Sequence, residues 1–92
     1  MTTEVDKILE ERGSRYGLFV DQARISQSLK FIATNELIGN GKILSTSQQE
    51  ALDMIFHKIA RILNGDPNYA DSWVDIAGYA KLVADELEGN IK

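Results

Sequence analysis

The chain has 92 residues, a formal net charge of −4, and hydrophobic and charged fractions of 43% and 26%. This length suits a single domain, residues 1–92, with one modest core, and the hydrophobic fraction excludes wholesale disorder. The lack of cysteine excludes a disulfide scaffold and a thiolate zinc site. The acidic charge argues against general nucleic-acid binding, and with no long apolar run we expect no membrane span.

The N-terminal half predicts two helices joined by an arginine-rich loop. The first helix starts after a cap at Thr2 or Thr3 and runs to about Glu11. Residues 12–17 (RGSRYG) are predicted to be a loop whose guanidinium groups and free backbone N–H groups suit a phosphate. The second helix is predicted over residues 18–36. It is apolar on two sides, which favours a central position or contact with a second subunit.

The C-terminal half, residues 46–89, predicts two long helices folded into an antiparallel hairpin. Ser45 or Thr46 caps the third helix, and Asn64-Gly65 ends it. The fourth helix is predicted from residue 70 or 71 to about residue 88. The fold class is therefore all-α, with about four helices.

Each helix of the hairpin carries an apolar stripe at helical spacing, and we expect the two stripes to form the core. The stripe on the third helix consists of Leu52, Ile55, Phe56, Ile59, Ile62 and Leu63. The stripe on the fourth helix consists of Trp73, Ile76, Ala77, Ala80, Val83, Ala84 and Leu87.

The opposite faces of the two hairpin helices carry polar groups together with residues that a plain solvated face does not need. Gly78 in mid-helix costs about 1 kcal/mol relative to alanine, so we expect this face to meet a ligand, a partner or another part of the chain. The third helix contributes Glu50, Asp53, Met54, His57, Lys58 and Arg61, and the fourth contributes Asp71, Asp75, Gly78, Tyr79 and Leu82.

One interpretation of this face is a divalent-metal site. Because the hairpin is antiparallel, carboxylates from both helices could hold Mg²⁺ through their oxygens. The candidate ligands are Glu50, Asp53, Asp71 and Asp75. Lys58 and Arg61 lie between them and would neutralise the carboxylates, so no metal or other cofactor is favoured.

The favoured interpretation is an anion or nucleotide pocket without hydrolysis, in which no catalytic residue is assigned. Asp71 and Asp75 would hold the neighbouring cations in position to contact phosphate, and a tyrosine would stack on a base. The candidate ligand-binding residues are Arg12, Arg15, Tyr16, His57, Lys58, Arg61, Asp71, Asp75 and Tyr79. A salt-bridge network that only fixes the register of the helices is the structural alternative.

Two stretches carry a resemblance to a known family. ILEERGSRYG and EALDMIFHKIARILNGDPNYADSWVDIAGYAKLV resemble a small all-helical domain family of bacteriophages and prophages that has no established activity. A looser likeness connects K-x-x-R and D-x-x-x-D-x-A-x-Y with domains associated with nucleotide modification. A more distant one connects them with MazG-like all-α nucleotide pyrophosphohydrolases, whose ExxE…ExxD pattern this chain does not reproduce. The resemblance implies a phage product acting on nucleotides in the cytoplasm of a bacterial host.

Three functional hypotheses follow. The first is an oligomeric binder of a nucleotide or another phosphate-containing small molecule, for example one that sequesters a nucleotide signal of host defence. The second is a Mg²⁺-dependent MazG-like nucleotide pyrophosphohydrolase. The third is a protein–protein inhibitor that uses its acidic surface against a host factor.

Overall fold

The computed structural model describes residues 3–91, and these form four helices and no strand. The all-α prediction is therefore confirmed, and the last two helices pack closely against each other as expected. None of the described helices is long and apolar enough to cross a membrane. The helices are α1 (Glu4–Tyr16), α2 (Phe19–Gly39), α3 (Thr46–Asn64) and α4 (Ala70–Leu87).

The first helix is longer than predicted, and residues 12–16 are helical. Thr3 caps α1 by accepting a hydrogen bond from the Asp6 N–H, whereas Thr2 lies outside the described residues. An ion pair one helical turn apart, Glu11 with Arg15, accompanies the continuation of the helix past Glu11. Gly17 ends α1 with a φ of 78° and donates its N–H back into the helix, so the predicted loop of free N–H groups was wrong.

The remaining boundaries lie close to their predicted positions. The second helix continues three residues beyond Glu36, to Gly39. Ser45 caps α3 in a capping box with Gln48, and α3 ends at Asn64 as expected. The fourth helix begins at Ala70 and ends at Leu87. The connection between α3 and α4 is short, so the two helices are antiparallel neighbours.

The helices α2, α3 and α4 form a single layer with α3 in the middle. The helix α3 packs against both of its neighbours, and within the described chain α2 and α4 do not approach each other. Ala51 and Ala60 are buried on α3 and are nine residues apart, which places them about 180° apart round the helix. The molecule measures 50 × 30 × 23 Å.

A single layer of helices leaves most large hydrophobic side chains only partly covered. Within residues 3–91, Ala51 and Ala60 are the only buried hydrophobic residues. The radius of gyration is 15.6 Å, against about 12 Å for a compact domain of this length. Trp73 was expected in the core but is 55% exposed, with its indole N–H bonded to the Pro67 carbonyl. That expectation was wrong because none of the described helices covers its side of α4.

Candidate functional site

Hydrogen bonds to backbone carbonyl groups join the end of α1 to the end of α3. The Asp66 N–H donates a 2.6 Å hydrogen bond to the Arg15 carbonyl. The Asn64 side-chain amide donates to the carbonyls of Tyr16 and Leu18, at 2.9 Å each. The bonds to Arg15 and Tyr16 satisfy carbonyl groups at the end of α1 that have no partner within the helix, whereas the Leu18 carbonyl belongs to the N-cap of α2 and also accepts from the Gln22 N–H. These hydrogen bonds also fix the last turn of α1 over the C-terminal end of α3.

This junction brings arginine and tyrosine side chains together. The Arg61 guanidinium lies 4.1 Å from the centre of the Tyr16 ring, and the Arg15 guanidinium lies 4.4 Å from the centre of the Tyr69 ring. The two rings meet edge to face, with their centres 6.0 Å apart. Stacking on aromatic faces holds both guanidinium groups in place, and Arg15 also donates a hydrogen bond to Glu11.

The cluster has an excess of positive charge. Glu11 forms a 3.1 Å ion pair with Arg15, which partly neutralises that guanidinium. Within residues 3–91, neither Arg12 nor Arg61 forms an ion pair, and the buried Nε of Arg61 has no hydrogen-bond partner. A buried donor without a partner is energetically costly. The cluster therefore holds guanidinium charge that an anion could neutralise.

Two clefts open on this cluster and share Arg12, Tyr16 and Arg61. The smaller has a volume of about 240 Å³ and adds Ile8, Glu11, Arg15 and Tyr69 to its walls. The larger has a volume of about 530 Å³ and adds Leu9, Gly13, Gly17, Leu18, Phe19, Gln22 and His57. Pockets for small molecules usually measure about 300–1,000 Å³, and combine apolar walls with a few polar groups. The larger cleft has the size and the lining of such a pocket.

His57 is in the wall of the larger cleft. Its ring nitrogens lie 3.3 Å from the side-chain nitrogen of Gln22 on α2. Burial lowers the pKa of His57 below 6.5, and the positive charges of Arg61, Lys58 and Lys30 lower the pKa further. The imidazole is therefore uncharged at neutral pH, and in that form one of its ring nitrogens carries a hydrogen and the other can accept one.

The structure gathers some of the predicted site residues and separates others. Together in the cluster or its clefts are Arg12, Arg15, Tyr16, His57 and Arg61. Lys58 was expected to approach a carboxylate of α4, and it forms a 3.0 Å ion pair with Asp75. Arg61 was also expected to approach Asp71 or Asp75 but pairs with neither, because α1 continues far enough for Tyr16 to meet its guanidinium.

The other two candidates lie outside the clefts. Asp71 accepts a 2.9 Å hydrogen bond from the Tyr69 hydroxyl, which raises the pKa of Tyr69. Tyr79 lines a separate open groove on α4 with Gly78 and Leu82. Since Lys58 is only 11% exposed and pairs with Asp75, that pair matches the structural alternative more closely than the pocket.

The four carboxylates considered as metal ligands do not converge. Asp53 accepts a hydrogen bond from Gln49, and Glu50 lines another cleft at the far end of the hairpin with Leu82 and Glu86. Across residues 3–91, no group of three or more histidine, aspartate or glutamate side chains is placed to hold a metal ion. The cations and rings lie at the opposite end of α3 from Glu50.

Two residues that build the site were not predicted from the sequence. Gln22 is 4% exposed and contacts His57. The only indication in the sequence is its helical spacing with Ser26 and Leu29, which places a polar residue on the side of α2 that faces α3. Asn64 was interpreted as an ordinary helix end. Its second role depends on α1 folding back over it, which helical periodicity does not predict.

The fold and the cluster define a class: an all-helical domain with a cationic, aromatic cleft where its first and third helices meet. Residues 1–87 match a family described as "Domain of unknown function (DUF6378)", and the chain belongs to this family. No curated protein and no solved structure matches the chain.

Proposed function

We propose that this protein binds a phosphate-bearing nucleotide in the clefts between α1 and α3 and holds it without turnover. The observation that carries the proposal is the set of three guanidinium groups around two tyrosine rings, of which Arg12 and Arg61 have no carboxylate partner within residues 3–91.

The phosphate would bind at the wall that the two clefts share. Arginine presents planar N–H edges that match phosphate oxygens and stays charged at any physiological pH. Arg61 borders both clefts and has no ion pair within the described chain, so a phosphate would supply its missing counter-charge. The neutral His57 ring borders the same cleft and could donate one further hydrogen bond.

The nucleobase would take the larger cleft, which combines aromatic with aliphatic walls. Tyr16 and Phe19 supply rings there, and Leu9 and Leu18 supply apolar surface. A flat base stacks on such rings with little dependence on its identity, so phosphate contacts would dominate the affinity.

Binding without hydrolysis is supported by the position of the acidic groups. The cleft walls contain one carboxylate, Glu11, which is already paired with Arg15. Mg²⁺-dependent pyrophosphate hydrolysis uses carboxylates to hold the metal. Of the four hairpin carboxylates, Asp53, Asp71 and Asp75 bond to other side chains, and Glu50 lines a different cleft. The resemblance to phage domains supports a role for the binder in the host cytoplasm, where it would sequester a nucleotide signal of host defence.

A thermal-shift screen tests this proposal. Linear and cyclic nucleotides are added to the purified protein with Mg²⁺ or with EDTA. A ligand at about 100 times its Kd stabilises the folded state by about 2.7 kcal/mol, and we expect such a shift to survive EDTA.

Matched variants link a shift to the site. Arg12→Gln and Arg61→Gln are expected to lose the shift. Arg24→Gln is the control, because Arg24 is 68% exposed on α2 and lines neither cleft. A shift only with Mg²⁺ would favour the pyrophosphohydrolase, and no shift with any nucleotide would favour a protein–protein inhibitor.

A further inference from the structure

The layer of helices has two sides of opposite character. His57 and Arg61 lie on the side that carries the clefts. Lys58 is about 60° round α3 from Arg61, so its ion pair with Asp75 crosses to α4 on that same side. We call this the polar side of the layer.

The other side of the hairpin is apolar. Ile55 and Ile59 lie about 160–200° round α3 from His57, and Ala77, Ala80 and Ala84 lie about 140–200° round α4 from Asp75. The charged residues of α3 are Glu50, Asp53, Lys58 and Arg61, and those of α4 are Asp71, Asp75, Lys81, Asp85 and Glu86. All of them fall outside the two apolar stripes predicted from the sequence. We call the side formed by these stripes the apolar side.

The described chain leaves the apolar side only partly covered. Leu63 is 65% exposed, Trp73 is 55% exposed and Leu87 is 70% exposed. Among the described helices, α4 contacts α3 alone, so no second layer lies over the hairpin. A stable domain is built from at least two packed layers, because each layer must bury its apolar face against another.

The accessible surface that this chain exposes beyond that of a compact monomer is similar in area to a protein interface. A compact monomer of 10.3 kDa would expose about 5,400 Å² of surface. This chain exposes 6684 Å², an excess of about 1,300 Å². Standard protein interfaces bury about 800 Å² on each partner, and permanent dimers bury more. The excess, taken over the whole chain, is therefore in the range that one partner of similar size would bury.

We infer that the apolar side is the interface of a homodimer, in which the hairpin of a second copy supplies the second layer. Among the described residues, the only buried hydrophobic ones are two alanines. Such a chain needs a second layer over its apolar side in order to fold. The covering molecule must then be present wherever the chain is made, and a second copy meets that condition.

The chemistry of the surface agrees with self-association. The stripes carry no charge, so two copies meet without like-charge repulsion despite the net charge of −4. A two-fold axis places the same patch on both partners. The small side chains of Ala77, Ala80 and Ala84 let helices approach closely.

Cysteine accessibility tests this inference on folded protein, because the natural chain has no cysteine. Ala80 and Gly78 are both exposed within one chain and are two residues apart on α4, but they face opposite sides of the layer. In the Ala80→Cys variant, we expect a maleimide to react at least 100-fold more slowly than in the matched Gly78→Cys variant. Equal rates, or slower reaction at position 78, would overturn the proposed interface.

The mass in solution provides the second measurement. Sedimentation equilibrium of the wild-type chain should give twice 10.3 kDa, and the melting temperature should rise with protein concentration. Ala80→Glu should dissociate or unfold the dimer, whereas Gly78→Glu should leave the mass unchanged. A folded monomer with a melting temperature independent of concentration would overturn the inference. So would an Ala80→Glu variant that keeps the dimer mass, or a chain that folds only with a different protein.

Discussion

Replacing Arg61 by methionine should stabilise the protein in the absence of ligand while abolishing nucleotide binding. The substitution removes a guanidinium whose buried Nε has no hydrogen-bond partner within residues 3–91. Removing a buried donor that has no partner should raise the free energy of unfolding by about 1–3 kcal/mol. The loss of the cation–π contact with Tyr16 costs about 0.5–1 kcal/mol. Methionine keeps an unbranched stem that ends where Nε stood, and its thioether makes favourable contacts with aromatic rings. The expected net gain is about 1 kcal/mol.

Lys58→Met provides the contrast, because Lys58 has a partner. Its side chain is 11% exposed and its ammonium group lies 3.0 Å from Asp75, whose side chain is 45% exposed. Loss of the pair leaves Asp75 uncompensated but still in contact with water, so we expect a destabilisation of about 1–2 kcal/mol. For a domain of this size, 1 kcal/mol corresponds to about 4–8 °C in Tm. Arg61→Met should therefore have a higher Tm than the wild type, and Lys58→Met a lower one.

The assay is urea unfolding followed by circular dichroism, with all proteins at one concentration, since association would shift the transition. The m-values should remain equal, so that differences in midpoint report stability. If Arg61→Met is destabilised as much as Lys58→Met, Arg61 is a structural residue. The reasoning that assigns it to a ligand site would then be refuted.

Two further predictions concern the junction and the histidine. Gly65→Ala should destabilise the protein by about 1–3 kcal/mol in urea unfolding, because a Cβ there would overlap the backbone of Arg15 and Tyr16. Gly39→Ala is the control, because the space around Gly39 is open, and it should not destabilise the protein. The pKa of His57 is lowered in the folded state, so the unfolded chain takes up a proton first as the pH falls below 6.5. The contribution of His57 to the free energy of unfolding should therefore be constant above pH 6.5, and it should decrease from pH 6.5 down to the pKa of the folded state. A His57→Gln variant should show a shallower fall below pH 6.5, and an unchanged slope would contradict the assigned cause.

Local signals in the sequence predict the helices well. The sequence predicts the Asn64-Gly65 end of α3 to the residue and its start to Ser45 or Thr46, because caps depend on neighbouring side chains. The structure shows Ser45 in a capping box with Gln48. Residues 12–17 are predicted to be a loop because they contain two glycines and two arginines. The structure shows that a Glu11–Arg15 pair accompanies the helix through Gly13.

The apolar periodicity correctly identifies which residues share a face, but it does not reveal what covers that face. Trp73 and Leu87 lie on the predicted stripe, yet they are 55% and 70% exposed in the single chain. Periodicity is a property of one helix, whereas burial depends on which other helix is present. The same reason explains why Arg61 was expected beside Asp75 and lies on Tyr16 instead. The position of α1 is determined by long-range contacts such as that of Asn64 with Tyr16.

The central claim, a nucleotide held against Arg61, can be measured at His57. The chain has a single histidine, so its ring signals in a ¹H–¹³C NMR spectrum are unambiguous. We predict that a saturating nucleotide shifts these signals and raises the pKa of His57, because phosphate offsets the positive charge of Arg61 that lowers it. The Arg24→Gln control should respond as the wild type does. Ring signals and a pKa that stay unchanged under a full nucleotide series would contradict the proposed site.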